Sequence, residues 1–412
     1  MTDSSPGMSD HRVRGGRAAA TLGAIVVLAV TVSACSSSTT SPAPADVAPP
    51  IPLTSSSADP GTGSGAWATL ALGHLDDPLN TFWQLFSLSK GSSHWTLATP
   101  PGVASNGGLA LAVAPASVLA GFGPSQALRF SPLAETTDGG RTWAPGLLPG
   151  GLAAVPDSLS VSSGGRPAAV LQTGDGTVVT STGTLSAWRP LISGRALARD
   201  PAASSCGIER LTAVASGVGA GGGTSSGAGS GTAAVGAACL HGGRPGIFES
   251  VGPGWEAVGP ALPGAPAGPI EVIRLEEIPG GAAALVGAGT GHGAELFAIR
   301  STDGLRTWTV AGPLALGGGI LTATGSTPTG GFVVTTNGAH GARGASSVDP
   351  PATGWIHLAP PPPGTSAVVA TPGSGVDALV VHQSVLDVYA LGTRTWERTQ
   401  VLSVPIQYGS SG

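Results

Sequence analysis

Seven of the nine tryptophans in this chain recur at near-regular intervals: Trp95, Trp143, Trp188, Trp255, Trp308, Trp355 and Trp396. The spacings are 48, 45, 67, 53, 47 and 41 residues. Each indole offers about 150–250 Å² to bury, so each must find packing partners of its own. A series of them at a period of roughly 40–50 residues points to one structural unit, repeated, that buries its apolar faces against its neighbours.

The stretches between the tryptophans are built from short β runs divided by Gly and Pro. Residues 271–311 are the clearest: runs over 271–278, 282–287, 295–300 and 307–310, with turns at 279–281, 289–293 and 301–306. The runs 109–113, 117–121, 127–131 and 142–144 repeat the order, as do 366–370, 376–382, 385–391 and 395–400. Four short antiparallel strands per period predict an all-β, seven-bladed β-propeller over residues 66–412, with the ladder tryptophan opening the outermost strand of each blade. Blade 1 shows only three runs, over 67–72, 82–88 and 95–98. The tail, 401–408, is therefore expected to pair beside 67–72 as its inner strand, closing the ring and removing a free sheet edge.

Charged residues make up only 10% of the chain, with 67 Gly and 36 Pro, a bias that can mark disorder. The 41% hydrophobic content, gathered into β runs, argues for a folded domain instead. Formal net charge is −5, and the first 34 residues hold three arginines against two aspartates, so the chain without them carries −6. No Lys/Arg cluster follows, which argues against a nucleic-acid surface.

The N-terminus has the layout of an export signal. His11–Arg17 is basic, Ala18–Val32 is apolar but too short to span a bilayer, and Val32-Ser33-Ala34-Cys35 follows. The last four residues resemble the bacterial lipobox. That resemblance implies cleavage after Ala34, leaving 1–34 as a lipoprotein signal peptide, and diacylglycerol on the Cys35 thiol. Two or three acyl chains would hold the protein stably on the outer, extracytoplasmic face of the cell membrane. The lipidated Cys and the Ser/Thr/Pro-rich residues after it, 35–65, read as a disordered tether with too few large apolar groups to fold.

Two of the expected turns before ladder tryptophans carry a motif. Thr136-Thr137-Asp138-Gly139-Gly140-Arg141-Thr142-Trp143 resembles the Asp-box (BNR-like) repeat, S/T-x-D-x-G-x-T-W, and Ser301–Trp308 is similar with Leu305 in place of the motif glycine. Ser87–Trp95 and Ser347–Trp355 look like diverged copies. Propellers of this family include sialidases and other glycosidases, sortilin-type receptors and photosystem assembly factors. The resemblance implies structural roles for Thr136, Asp138, Gly140, Thr142 and Trp143, and for Ser301, Asp303, Thr307 and Trp308, away from the ligand face. An Asp oxygen can satisfy turn N–H groups while Gly takes the positive-φ position.

Catalytic residues do not emerge. A sialidase-like site needs an arginine triad, an Asp acid and a Tyr–Glu pair; residues 67–88 contain no Arg, and the only tyrosines are Tyr389 and Tyr408. Glu276-Glu277 and Asp76-Asp77 are adjacent carboxylates, and neighbours on a strand point to opposite faces. Cys206 and Cys239 flank the Gly-rich insert Gly217–Thr232, which accounts for the 67-residue spacing. They are expected on the inner and second strands of blade 4, joined by a disulfide outside the cytoplasm. The G-x-G-x-x-G at Gly217–Gly222 lacks a following helix pattern and a phosphate-loop Lys, and reads as loop. The histidines show no metal-ligand spacing, and no cofactor or metal is expected. Pro360–Pro363 reads as a stiff connector. Phe82, Trp83 and Phe86 could stack on a sugar or anchor a partner, or could seal the junction of blades 1 and 7, the last being favoured; Trp67 shares that ambiguity. The functional reading is a membrane-anchored binder of a partner protein or envelope glycan, non-catalytic, with a sialidase-like or other glycoside hydrolase as the alternative. The discriminator is the axis. Converging arginines and carboxylates there would favour an enzyme, and only blade 5, with Glu271, Arg274, Glu276 and Glu277, offers them in quantity.

Overall fold

A computed structural model describes residues 65–406 and the backbone of 54–58. Excluded within that range are 76–79, 102, 104–107, 116, 124–129, 150–155, 172–175, 219–231, 242, 328, 339–342, 350–353 and 374. The signal region and Cys35 lie outside the described residues, as do Asp76, Asp77, Tyr408 and most of the Gly-rich insert.

The fold is nearly all β and of β-propeller type. Among the described residues the strands follow one another as antiparallel meanders of four, each pairing in chain order from inner to outer strand. The fifth unit runs Ile270–Ile278, Gly281–Ala288, Glu295–Ser301 and Thr309–Ala315. Strands Leu109–Val113 and Val385–Leu391 fall where the sequence places them. The ladder tryptophans mark the outer strands throughout. Trp95, Trp188 and Trp396 open theirs; Trp143, Trp308 and Trp355 stand one residue before theirs; Trp255 is second in Gly254–Ala257.

The core lies between the units, so each sheet is apolar on both faces. From the inner strand of the fifth unit, Ile270, Val272 and Leu275 pack with Ala213, Ala234 and Ile247 of the fourth. Ile278, with Leu285 and Leu296, packs with Phe332, Val334 and Val348 of the sixth. A register shift between Val272 and Arg274 inserts one residue. It moves Arg274 and Glu276 off the face that Val272 and Leu275 bury, which is how an apolar strand comes to present charges at the axis.

Three expectations are corrected. The inner strand of the first unit is Thr54–Ala58, not the tail. It pairs antiparallel with Ala66–Gly73 and parallel with Ile320–Ser326 of the sixth unit. Residues 401–403 belong to Trp396–Ser403, the outer strand of the last unit, which pairs along its whole length with Val385–Leu391. The segment expected as tether to residue 65 therefore contains a strand. A strand flanked on both edges is held by main-chain bonds, so Thr-Ser-Ser-Ser-Ala can occupy that place without an apolar pattern. Second, Cys206 precedes the inner strand Ile208–Ser216 instead of lying on it. The connection before it carries a one-turn helix, Gly194–Leu197, capped by Ser193, and a 3₁₀ turn, Pro201–Ala203, capped by Asp200. This connection shares responsibility for the long tryptophan spacing. Third, Trp67 and Trp83 pack with Leu109, Val118 and Phe122 of the second unit, while Phe86 joins the expected junction with the last unit.

That junction is closed by side chains. Trp95 is fully buried there among Leu379, Leu386 and Val388. Its Nε1 donates to Asp377 Oδ2 at 2.8 Å. Its backbone N–H donates to Gln400 Oε1, and its carbonyl accepts from Gln400 Nε2, both at 2.8 Å. The Gln400 amide thus satisfies both backbone groups of Trp95, as a neighbouring strand would.

Candidate functional site

The inner strands meet at the axis, where the fifth unit brings its charges. Arg210, on Ile208–Ser216, donates through Nη2 to Glu271 Oε1 at 2.5 Å. Arg274 Nη1 donates to the Thr324 carbonyl of the sixth unit at 3.0 Å, and Nη2 donates to Glu276 Oε1. Glu277 turns the other way. Its carboxylate accepts from the Ser163 N–H at 2.9 Å and the Ser163 hydroxyl at 2.8 Å. Ser163 follows the inner strand of the third unit, so this contact passes over the fourth. Burial pushes the Glu277 carboxyl above its ordinary value, against the lowering effect of the two Ser163 bonds. Gly217, at φ 92°, lies directly beneath, where an added Cβ would come within 3.0 Å of Glu277 Oε2.

Neutral groups continue the lacing. Ser160 and Ser216 hydroxyls meet at 3.1 Å between the third and fourth units. Thr212 Oγ1 donates to the Val272 carbonyl at 2.7 Å between the fourth and fifth. The Val368 N–H donates to Thr335 Oγ1 at 2.9 Å between the sixth and last. The axis is also bridged across one unit on either side: by Glu277–Ser163 over the fourth, and by the parallel pairing of Thr54–Ala58 with Ile320–Ser326 over the last. A chemist looking for a free acid–base pair finds Glu276 and Glu277 engaged with different partners in different units.

The two motif turns have one construction. Thr136 Oγ1 donates to Asp138 Oδ1 at 2.9 Å and accepts from the Gly140 N–H at 2.9 Å. Asp138 also accepts from the N–H groups of Arg141 at 3.0 Å and Thr142 at 2.9 Å, and from Thr142 Oγ1 at 2.6 Å. Ser301, Asp303, Arg306 and Thr307 make the equivalent bonds at 2.5–3.1 Å. These donors, the Thr hydroxyl first, hold both aspartates down at about 2. Every carboxylate oxygen is occupied inside its own turn. Trp143 meets Trp67 edge-on, centroids 6.2 Å apart, so the turn is packed onto the first unit.

Cys206 and Cys239 form a disulfide with Cα atoms 4.9 Å apart, tying the long connection to the end of strand Ala233–Cys239. Tyr389 is half-buried against the apolar cluster between the sixth and last units. A small cleft of ≈ 160 Å³ between the fifth and sixth units is lined by Leu314, Thr336, Ser346 and His357, with Ser346 Oγ 3.0 Å from His357 Nδ1. Drug-sized ligand pockets are commonly about 300 Å³ or more. Among the described residues no group of three or more His, Cys, Asp or Glu is placed to hold a metal ion. Sequence reasoning missed Ser163, Asp377 and Gln400. Each gains its partner from another unit, and nothing local to them signals it.

No family model and no curated protein matches the chain. Solved structures do resemble it. A candidate 6-phosphogluconolactonase from Bacteroides uniformis superposes with a TM-score of 0.51 at 13% identity, over 84% of this chain and 99% of that one. A second candidate 6-phosphogluconolactonase, from Bacteroides fragilis, gives 0.48 at 11% identity over 83% and 95%. YCF48 from Cyanidioschyzon merolae gives 0.39 at 13% identity over 80% and 97%. At such identities the likeness is one of fold, and the first of the three carries it.

Proposed function

We propose that the mature chain is a lipid-anchored, seven-bladed β-propeller that binds a partner protein or an envelope glycan at the outer face of a bacterial membrane, without transforming it. One observation carries the non-catalytic reading: Glu271, Glu276, Glu277 and Arg274 of the fifth inner strand are engaged by one another or by other units. Arg210 holds Glu271, Arg274 holds Glu276 and Thr324, and Ser163 holds Glu277. An arginine that recognises a substrate carboxylate needs free donors, and a glycosidase pair needs two carboxyl groups facing one bond. The motif turns support the same reading, since Asp138 and Asp303 are saturated by N–H and hydroxyl donors of their own turns.

The lipid anchor rests on the Val32–Cys35 sequence. The test is crosslinking and co-purification of the tagged protein from intact cells, with Cys35→Ala as the mislocalised control. A specific envelope protein enriched only with the lipidated form is the expected result. No specific protein in either sample would move the reading to a glycan or small ligand.

The alternative, hydrolysis of a glycoside, has one observation behind it: burial keeps the Glu277 carboxyl raised, as a general acid requires. Turnover of a glycoside panel, abolished in Glu277→Gln, would establish it over the binding reading.

A further inference from the structure

Strand direction fixes the side of the ring toward which the first residue of Thr54–Ala58 is turned. Thr54–Ala58 runs parallel to Ile320–Ser326, with Thr54 level with Ala323. Thr54 is therefore the end of its strand turned toward the side where Ile320 begins. Ala66–Gly73 runs the opposite way, so Gly73 and the turn after it, with Leu75, lie on that same side. Trp67, at the other end of this strand, touches Trp143, which puts the Thr136–Trp143 turn on the far side and Phe130, at the opposite end of its strand, on the near one. Four residues connect the outer strand Thr309–Ala315 to Ile320, so the fifth and sixth inner strands begin together. Ala233–Cys239 is antiparallel to Ile270–Ile278, which places Leu240 on the near side too.

The exposed large apolar residues follow that division. Leu75, Phe130, Leu240 and Ile320 stand on the near rim; Val251 and Ile356 are on the far side, and the remaining three lie along outer strands. Arg199 and Arg244 are exposed, one in the connection before Ile208–Ser216 and the other in the turn after Ala233–Cys239, with Asp200 in that connection and Glu209 at the start of the strand it leads into as the acidic residues. Exposed apolar residues scattered singly need no explanation, but four on the rim toward which Thr54 is turned do. Residues 36–53, eighteen in number, can span at most about 65 Å between Cys35 and the ring.

We propose that this near rim is apposed to the lipid surface. Leu75, Phe130, Leu240 and Ile320 enter the headgroup region, while Arg199 and Arg244 meet lipid phosphates. The far rim, with the motif turns, faces away. The choice of the membrane as occupant rests on the reading of Cys35 as lipidated; the co-location of the apolar residues and the Thr54 strand end does not.

The test uses the mature lipidated protein in phosphatidylethanolamine/phosphatidylglycerol vesicles doped with a nitroxide-labelled lipid. Leu75→Cys and Ile356→Cys, matched at 60% and 61% exposure, each carry a small fluorophore. Strands of up to nine residues set the rims roughly 25–30 Å apart, beyond the reach of contact quenching. Quenching at position 75 should exceed that at 356 by about threefold or more, as expected for side chains seated about 5–10 Å into the interface. Equal quenching, or more at 356, would overturn the proposal. Leu240→Gln with Ile320→Gln should roughly halve the quenching at 75 while leaving the melting temperature in place; no change would also count against it. Mass analysis of Cys35 separates the two readings. If it carries lipid and the labels quench equally, the rim proposal fails and the anchor stands. If it carries none, the anchor fails, and the same two labels judge the rim with protein added from solution.

Discussion

Two kinds of carboxylate hold this molecule together, and they live under opposite conditions. Asp138 and Asp303 sit at exposed turns, ringed by N–H and hydroxyl donors of residues two before to four after them. Asp377 and Glu277 are half-buried, and their donors come from other units: the Trp95 indole for one, Ser163 for the other. The first pair is held down at about 2, while burial raises the second. The turns are a local solution in which sequence neighbours supply the donors. The junctions are a non-local one, where a charge is accepted near the core because it ties distant parts of the ring together. Such pairs can fix one arrangement while adding little stability, so what they contribute here is register between units.

The largest effect should come from the closing junction. Trp95→Ala removes a buried indole and leaves Asp377 without its donor, and should cost about 3–5 kcal/mol or more in denaturant unfolding. A loss under about 1 kcal/mol would mean that the first and last units hold without it. Next is the disulfide, which closes a separation of 33 residues. Its reduction should cost roughly 3–4 kcal/mol on the chain-entropy account, read as a fall in melting temperature with reductant that Cys206→Ser with Cys239→Ser abolishes.

The two turns can be compared directly. Leu305 holds φ 66° where Gly140 has φ 89°, and its side chain is buried in the cluster between the fourth and fifth units. Leu305→Gly relieves about 1–2 kcal/mol of backbone strain but forfeits about 1.5–3 kcal/mol of burial. The expected net loss is small, about 1 kcal/mol, measured by chemical denaturation; a gain would show that strain outweighs packing.

The smallest effect is the dependence on pH, and its sign separates the two kinds of carboxylate. For Asp138 and Asp303 the stabilisation is complete above the ordinary value of 3.8 and is lost as pH falls through about 2. For Asp377 and Glu277 it is complete below their ordinary values and is lost as pH rises through their raised ones. Asp377→Asn should therefore flatten the fall in melting temperature on the side of rising pH, and Asp138→Asn should change only the acid limb.

The parts of this fold legible in the sequence are those written in one stretch of chain. The ladder tryptophans mark the outer strands to within a residue, and Thr136–Trp143 and Ser301–Trp308 read directly as turns, because a turn's donors and acceptors are sequence neighbours. Thr54–Ala58 was hidden for the opposite reason. Its five small residues carry no periodicity, and its partners lie at 66–68 and 323–326. The tail misled because Trp396–Ser403 is a long outer strand whose second half resembles a strand of its own. At the axis, the charges of 271–277 were visible, but their engagement was not. That depends on Ser163 and Thr324, which look like any other hydroxyl residues in a chain rich in them.

The central claim is that the axis carboxylates lock units together and do not await a substrate. The direct measurement is a double-mutant cycle on unfolding free energy with Ser163→Ala, Glu277→Ala and the pair. A lock predicts a coupling between about 0.5 and 3 kcal/mol. Additivity to within about 0.3 kcal/mol would contradict it, leaving Glu277 as a raised, uncommitted acid at the centre of the ring.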